Sequence, residues 1–157
     1  MGIDYKSDDL YEQVERATMQ IGWLSQRQFM QLLAEERFDL TMPQYYTLVH
    51  LAHSSSEYKM SDLARATHQS AASLTGVIDR LIDKQLVARV RPQGDRRQVM
   101  VTTTDRGHTL LAEIKHSRRD EMHRALHGLQ MEEVDELLRW LDTLVAGMTV
   151  AVQQGKD

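Results

Sequence analysis

The chain has 157 residues, of which 27% are charged and 41% apolar, with two prolines, eight glycines and no cysteine. That length suits one domain, or a small module flanked by helices, burying about 70% of its unfolded surface, and it argues against a multi-domain enzyme. The missing cysteine excludes disulfides, zinc-thiolate sites, thiol catalysis and cysteine redox sensing together. No apolar run approaches the roughly 20 residues of a membrane helix, and the polar, acidic start from Met1 to Asp9 predicts no signal peptide, so the expected setting is cytoplasmic and away from membrane.

Charge is distributed unevenly. Lysine and arginine number 19 against 23 acids, a net of −4, which disfavours a protein that coats nucleic acid with its whole surface. Between Arg65 and Arg97 the sign reverses. Seven basic residues (Arg65, Arg80, Lys84, Arg89, Arg91, Arg96 and Arg97) face three acids (Asp79, Asp83 and Asp95), giving +4 there and −8 over the remainder. A basic middle between acidic ends is expected where one face meets an anionic partner.

From Asp8 to Arg37, apolar residues at Leu10, Val14, Ala17, Ile21 and Leu24 alternate steps of four and three, and Phe29, Leu32 and Leu33 extend the pattern into a long amphipathic helix. Thr41-Met42-Pro43-Gln44 supplies a capping box with a proline in the first turn, predicting a second helix through Leu48 and Leu51. Ser54 to Ser56 break it. Ser61 is the expected cap of a short helix through Leu63, Ala64 and Thr67, and a polar turn at His68 to Ser70 leads into another helix. That helix carries Leu74, Val77, Ile78 and Leu81 on one stripe and leaves Ser73, Thr75, Gly76 and Arg80 off it.

Helical spacing stops at Leu86. Val87 to Arg91 and Gln98 to Thr103 are β-branched and suit two extended strands, with Pro92 at i+1 and Gly94 at i+3 of a type I turn whose tip presents Asp95, Arg96 and Arg97. Thr104-Asp105 caps a helix to about His127, terminated by Gly128, and a last helix begins at Met131 with Glu132 and Glu133 against its positive dipole end. Val134, Leu137, Leu138, Leu141, Leu144, Val145 and Met148 form its apolar stripe.

Two helices joined by a short turn and followed at once by a basic hairpin are the parts of a winged helix-turn-helix. The major groove, about 12 Å wide, accepts one helix, and short polar side chains at its start approach base edges freely. Ser70, Ala71, Ser73 and Thr75 occupy that start, with Ala64, Ala71 and Ala72 small enough for close packing across the turn. Arg80 and Lys84 suit phosphates, and Asp95, Arg96 and Arg97 place the wing tip against the flanking minor groove. The competing readings are a helical protein-interaction module with solvated arginines and an enzyme. Neighbouring acids such as Glu35-Glu36 point in different directions, and no phosphate loop, nucleophile elbow or His-Glu-x-x-His motif occurs, so catalysis is not expected.

Three blocks resemble the MarR-type transcriptional regulators. Leu40-Thr41-x-x-Gln44-x-x-x-Leu48-x-x-Leu51 is similar to that family's second helix; Leu63-Ala64 through Thr75-Gly76-Val77-Ile78-Asp79-Arg80-Leu81 and Leu86-Val87 resembles its helix-turn-helix; Asp95-x-Arg97-x-x-x-Val101-x-Thr103-Thr104-x-x-Gly107 resembles its wing signature. Thr103 stands where that pattern usually has leucine, and Gln85 where a glycine commonly precedes the Leu-Val pair. The resemblance implies a mostly α fold: a winged helix-turn-helix at residues 41–104 with a two-stranded β wing, and long N- and C-terminal helices, residues 1–40 and 105–157, forming a dimerisation region. It also implies a homodimer on a pseudo-palindromic double-stranded operator, usually a repressor, released by a small aromatic or anionic effector. The apolar length of the terminal helices independently suggests a second copy.

A zinc-responsive regulator of the same fold is the alternative. His50 and His53 lie three apart and His123 and His127 four apart, yet without a Glu-x-x-His pattern they read as surface or packed histidines, and no metal or cofactor is assigned. Met19, Met30 and Met148 read as core filler. Trp23, Tyr45, Tyr46 and His50 fall on the first two helices, where the resemblance implies a ligand crevice that they would line as an aromatic pocket, but packing explains them equally, so no effector residue is assigned.

Overall fold

A computed structural model describes residues 5–53, 58–90 and 100–154, with side chains from residue 9 onward. Among these residues six helices and three short strands follow in the order α1 (Tyr5–Leu33), α2 (Met42–His53), β1 (Tyr58–Lys59), α3 (Met60–Ala66), α4 (Ala71–Asp83), β2 (Val87–Val90), β3 (Met100–Thr103), α5 (Asp105–Ala125) and α6 (Met131–Gln154). The chain divides into two compact units, residues 1–115 and 116–157.

The core of the first unit gathers the stripes that periodicity marks. Leu48 of α2, Leu63 of α3, Leu74, Ile78 and Leu81 of α4, Val101 of β3 and Ile114 of α5 are fully buried, and Phe29, Leu32 and Leu33 bring the end of α1 into the same cluster. The rest of α1 stays outside it: Leu10, Val14, Ile21 and Leu24, the stripe that defines its amphipathicity, are all exposed. In the second unit α6 buries none of its described residues, and Leu138, Leu141, Val145 and Met148 are open.

Cap chemistry sets most boundaries. Gln44 Oε1 accepts from the Thr41 backbone N–H at 2.9 Å, closing one arm of the expected capping box. Thr104 caps α5 as anticipated; its hydroxyl accepts from the Gly107 N–H at 3.1 Å and donates to the Gln85 carbonyl at 2.8 Å, so one side chain ties α5 to the turn after α4. Glu133 accepts from the Gln130 N–H at 2.8 Å ahead of α6.

Four expectations are corrected. Ser61 is not the cap of α3: Lys59 is, without a side-chain bond, because pairing of β1 with β3 (Tyr58 opposite Val101, Lys59 opposite Met100) already holds Lys59 extended where the helix begins. That pairing also makes the wing sheet three-stranded, order β1-β3-β2, rather than two-stranded. The first helix stops at Leu33, not Arg37, since Leu40 N–H turns back to the Leu33 carbonyl at 2.8 Å and Phe38 and Leu40 enter the core. Helix α5 ends at Ala125, short of His127, and Gly128 has no left-handed backbone, so a glycine cap is not what stops it.

Among the described residues, three non-glycine residues adopt the left-handed region: Asp39, His68 and Gln85, with φ of 46°, 52° and 61°. Two of them end helices. After α3, Gln69 N–H reaches the Ala64 carbonyl at 3.0 Å; after α4, Gln85 N–H reaches Ile82 at 2.8 Å and Leu86 N–H reaches Leu81 at 2.9 Å, the paired bonds of a Schellman turn.

Candidate nucleic-acid interface

Helix α4 is held from one side and open on the other. Leu74, Val77, Ile78 and Leu81 lock its inner stripe into the core, and Ser70 caps it, its hydroxyl accepting from the Ser73 N–H at 3.2 Å. The turn before it is fastened to α2 by a Gln69 Nε2 donor to the Thr47 hydroxyl at 2.9 Å, with Thr47 fully buried. The orientation of α4 therefore follows from core packing plus one polar clamp.

On the outer side, Ala72, Gly76, Asp79 and Asp83, spaced four, three and four apart, form the stripe opposite the buried one, and all four are exposed. Ser73 and Arg80 flank it on one side, Ala71 and Thr75 on the other, also exposed. The first two turns of this face carry no charge. The last two carry acids, and Asp79 is partnered by Arg89 of β2 at 2.5 Å, which joins the wing to α4. The N-terminal half of α4 thus presents an uncharged face at the favourable end of the helix dipole, whereas the outward stripe of its C-terminal half carries Asp79 and Asp83 beside Arg80.

Of the residues expected to contact DNA, Ser70, Ala71, Ser73 and Thr75 lie together at the start of α4. Two of the three hydroxyls are committed locally: Ser70 to its cap, and Thr75, which donates to the Ala71 carbonyl at 2.8 Å. Ala71 and Ala72 do not pack across the turn as their size suggested; both are exposed, and only Ala64 is partly covered. Arg80 makes no ion pair among the described residues and borders an open cavity of about 410 Å³ with Asp39, Thr41, Gln44, Asp83 and Lys84. Lys84, expected as a phosphate contact, has its ammonium paired with the Asp39 carboxylate from the loop after α1. Asp95, Arg96 and Arg97, with the Pro92 to Gly94 turn, lie outside the described residues.

Gly76 and Gly107 differ in kind. A Cβ at Gly107 would sit 2.4 Å from the Leu86 carbonyl oxygen, 2.7 Å from Thr103 Cγ2 and 3.3 Å from Leu48 Cδ1, so α5 meets the end of α4 and β3 only if that position lacks a side chain. A Cβ at Gly76 would meet nothing within 4 Å, although glycine inside a helix costs about 0.5–1 kcal/mol relative to alanine. The fold asks for the first glycine and not for the second.

Of the four side chains considered for an aromatic pocket, Tyr45 and Tyr46 meet edge-on at 5.6 Å and Tyr46 shares a cavity with His50, while Trp23 lines another. Trp23 is exposed, with the Arg27 guanidinium 5.2 Å from its ring centre, beside a cavity of about 600 Å³ along α1. Tyr45 packs edge-on against Phe29 at 4.8 Å. Tyr46 and His50 border a different cavity of about 330 Å³ between α2 and the helix-turn-helix turn, where His50 stacks obliquely on Tyr58 at 5.2 Å. Among the described residues no three metal-ligating side chains converge, and no helix is long and apolar enough to cross a membrane.

Sequence reasoning missed the Arg89–Asp79 link, the Gln69–Thr47 clamp and the bareness of Gly76. Only the last left a sequence trace: a glycine at the centre of the outward stripe of a predicted helix.

A capped helix set by core packing, exposed along its first turns and followed by an antiparallel wing, defines a winged helix-turn-helix regulator. The family described as "Transcriptional regulator SarA/Rot" matches residues 28–114, more than half the chain, and the chain belongs to that family of MarR-type winged-helix, DNA-binding transcriptional regulators rather than to any class of enzyme. An uncharacterized HTH-type transcriptional regulator, YfiV of Bacillus subtilis (strain 168), is 29% identical over 108 residues, covering 69% of this chain and 67% of the relative. Among solved structures, YusO of Bacillus subtilis superposes with a TM-score of 0.77 at 24% identity, covering 88% of this chain and 96% of its own. A MepR mutant of S. aureus bound to an oligodeoxyribonucleotide has a TM-score of 0.70 at 25% identity, covering 86% and 97%. A MarR family protein from Bacillus stearothermophilus gives 0.71 at 21%, covering 90% and 97%.

Proposed function

We propose that this protein is a cytoplasmic, homodimeric repressor that binds a pseudo-palindromic operator, inserts the start of α4 into the major groove, and releases DNA when a small aromatic or anionic effector binds. The observation that carries the reading is the uncovered, uncharged N-terminal face of α4 on a helix otherwise locked by Leu74, Val77, Ile78 and Leu81. The oligonucleotide bound to the MepR relative supports it. Ser70, Ala71, Ser73 and Thr75 serve base edges, Arg80 serves phosphate, and the basic tip with Arg96 and Arg97 serves the minor groove.

Two unpartnered apolar faces, Leu10 to Leu24 on α1 and Leu138 to Met148 on α6, support a second copy as their cover, with residues 1–40 and 105–157 as the dimerisation region and 41–104 as the DNA-binding domain. A dimer of this kind holds its two recognition helices about 34–36 Å apart, one turn of duplex, and an effector that prefers a different separation weakens binding.

Selection of bound fragments from a random duplex pool tests the operator claim, and the half-site separation recovered reports the subunit geometry. Titration of the selected duplex by Arg96→Ala and Arg97→Ala variants is expected to show weaker binding and a salt dependence shallower by about one unit for each phosphate that is no longer neutralised. An unchanged slope removes the wing from the interface. Operator affinity that no member of a panel of aromatic anions alters removes the effector claim.

A further inference from the structure

We infer that α4 reads its half-site through methyl contact and close approach of its backbone at Gly76, rather than through forked side-chain hydrogen bonds, so that thymine methyl groups are what its first two turns recognise. This rests on the DNA-binding reading above and deepens it.

Three observations converge. From Ser70 to Asp79 there is no arginine, lysine, asparagine or glutamine, the side chains that grip guanine or adenine edges in pairs. Gln69, just before, is spent on Thr47. Ser70 Oγ accepts from the Ser73 N–H and the Thr75 hydroxyl donates to the Ala71 carbonyl, which leaves Ser73 as the hydroxyl with no bond among the described residues, and the methyl groups of Ala71 and Ala72 are exposed. Gly76, one turn beyond Ala72 on the same stripe, has open space where a Cβ would stand. Alanine would be accommodated there by the folded chain and favoured by the helix, so the bare position is explained by a body outside the chain that comes close. The thymine C5-methyl is the apolar feature of the major groove, and alanine is among its natural partners.

The test uses the full chain and a fluorescent duplex selected by the wild-type protein, with an unrelated duplex alongside. Gly76→Ala is expected to raise the urea midpoint of unfolding while weakening the selected duplex by about tenfold, a loss comparable with one mismatched base pair, and leaving the unrelated duplex unchanged. Replacing half-site thymines singly by deoxyuridine is expected to cost about fourfold at one position or more, the worth of one buried methyl group. That penalty shrinks in Ala72→Gly if the two methyls meet. Gly76→Ala with undiminished affinity for the selected duplex overturns the close-approach claim, and indifference to every deoxyuridine overturns the methyl claim. Wild-type protein that prefers neither duplex overturns the operator reading itself, and this inference with it.

Discussion

Gly107→Ala offers the sharpest test of how the wing is joined to the body of the domain. The added methyl group falls 2.4 Å from the Leu86 carbonyl oxygen, well inside van der Waals separation, and 2.7 Å from Thr103 Cγ2. The carbonyl cannot give way, because it accepts the Thr104 N–H at 3.1 Å and sits where β2 leaves the end of α4. Overpacking of this kind costs about 1–3 kcal/mol, and straining the Leu86–Thr104 bond adds about 1 kcal/mol. Alanine's better helix propensity returns about 1 kcal/mol. The expected net loss is about 1–3 kcal/mol, which at a urea dependence of about 1–3 kcal/mol per molar lowers the unfolding midpoint by about 1 M. Equilibrium urea denaturation followed by far-ultraviolet circular dichroism measures it. A midpoint equal to or above that of the wild type would refute the claim that this junction is closed by a missing side chain.

Gln85→Gly should act in the opposite direction. Gln85 holds φ at 61° in the Schellman turn after α4, a conformation costing a side chain about 1–2 kcal/mol that glycine does not bear. Against this stand the added freedom of an unfolded glycine, about 0.4–1 kcal/mol, and loss of the long, exposed Arg106–Gln85 hydrogen bond at 3.3 Å. A net gain of about 0.5–1 kcal/mol is expected in the same denaturation assay, and a loss would show that the glutamine contributes more than its strain. Ser70→Ala removes the cap of α4 and should cost about 1 kcal/mol, with faster amide exchange at Ser73, whose N–H the serine accepts. Unchanged exchange there would mean that the core alone holds the first turn.

Much of the fold was legible in the residue order because it depends on local spacing. The buried stripe of α4, the Gln44 arm of the capping box before α2 and the Thr104 cap of α5 are set by residues a few positions from one another, and each stands where periodicity and cap chemistry place it. The glycine of the wing signature was legible as a pattern, but its reason, the Leu86 carbonyl 21 residues earlier in the chain, was not. The three-stranded sheet escaped for a related reason: a two-residue strand has no period of its own and exists because β3 offers an open edge.

What the chain order determined on its own is therefore the succession of elements and the face each one hides, since both follow from side chains a turn or a pleat apart. Tertiary structure decided which charges meet. Lys84 and Asp39 are 45 residues apart and Arg89 and Asp79 ten, and only folding makes neighbours of them, giving one side chain of the expected phosphate set an acidic partner and joining another basic side chain to α4. It also decided that the apolar stripe of α1 is open along most of its length, because amphipathicity shows that a helix has a face to cover and says nothing about what covers it.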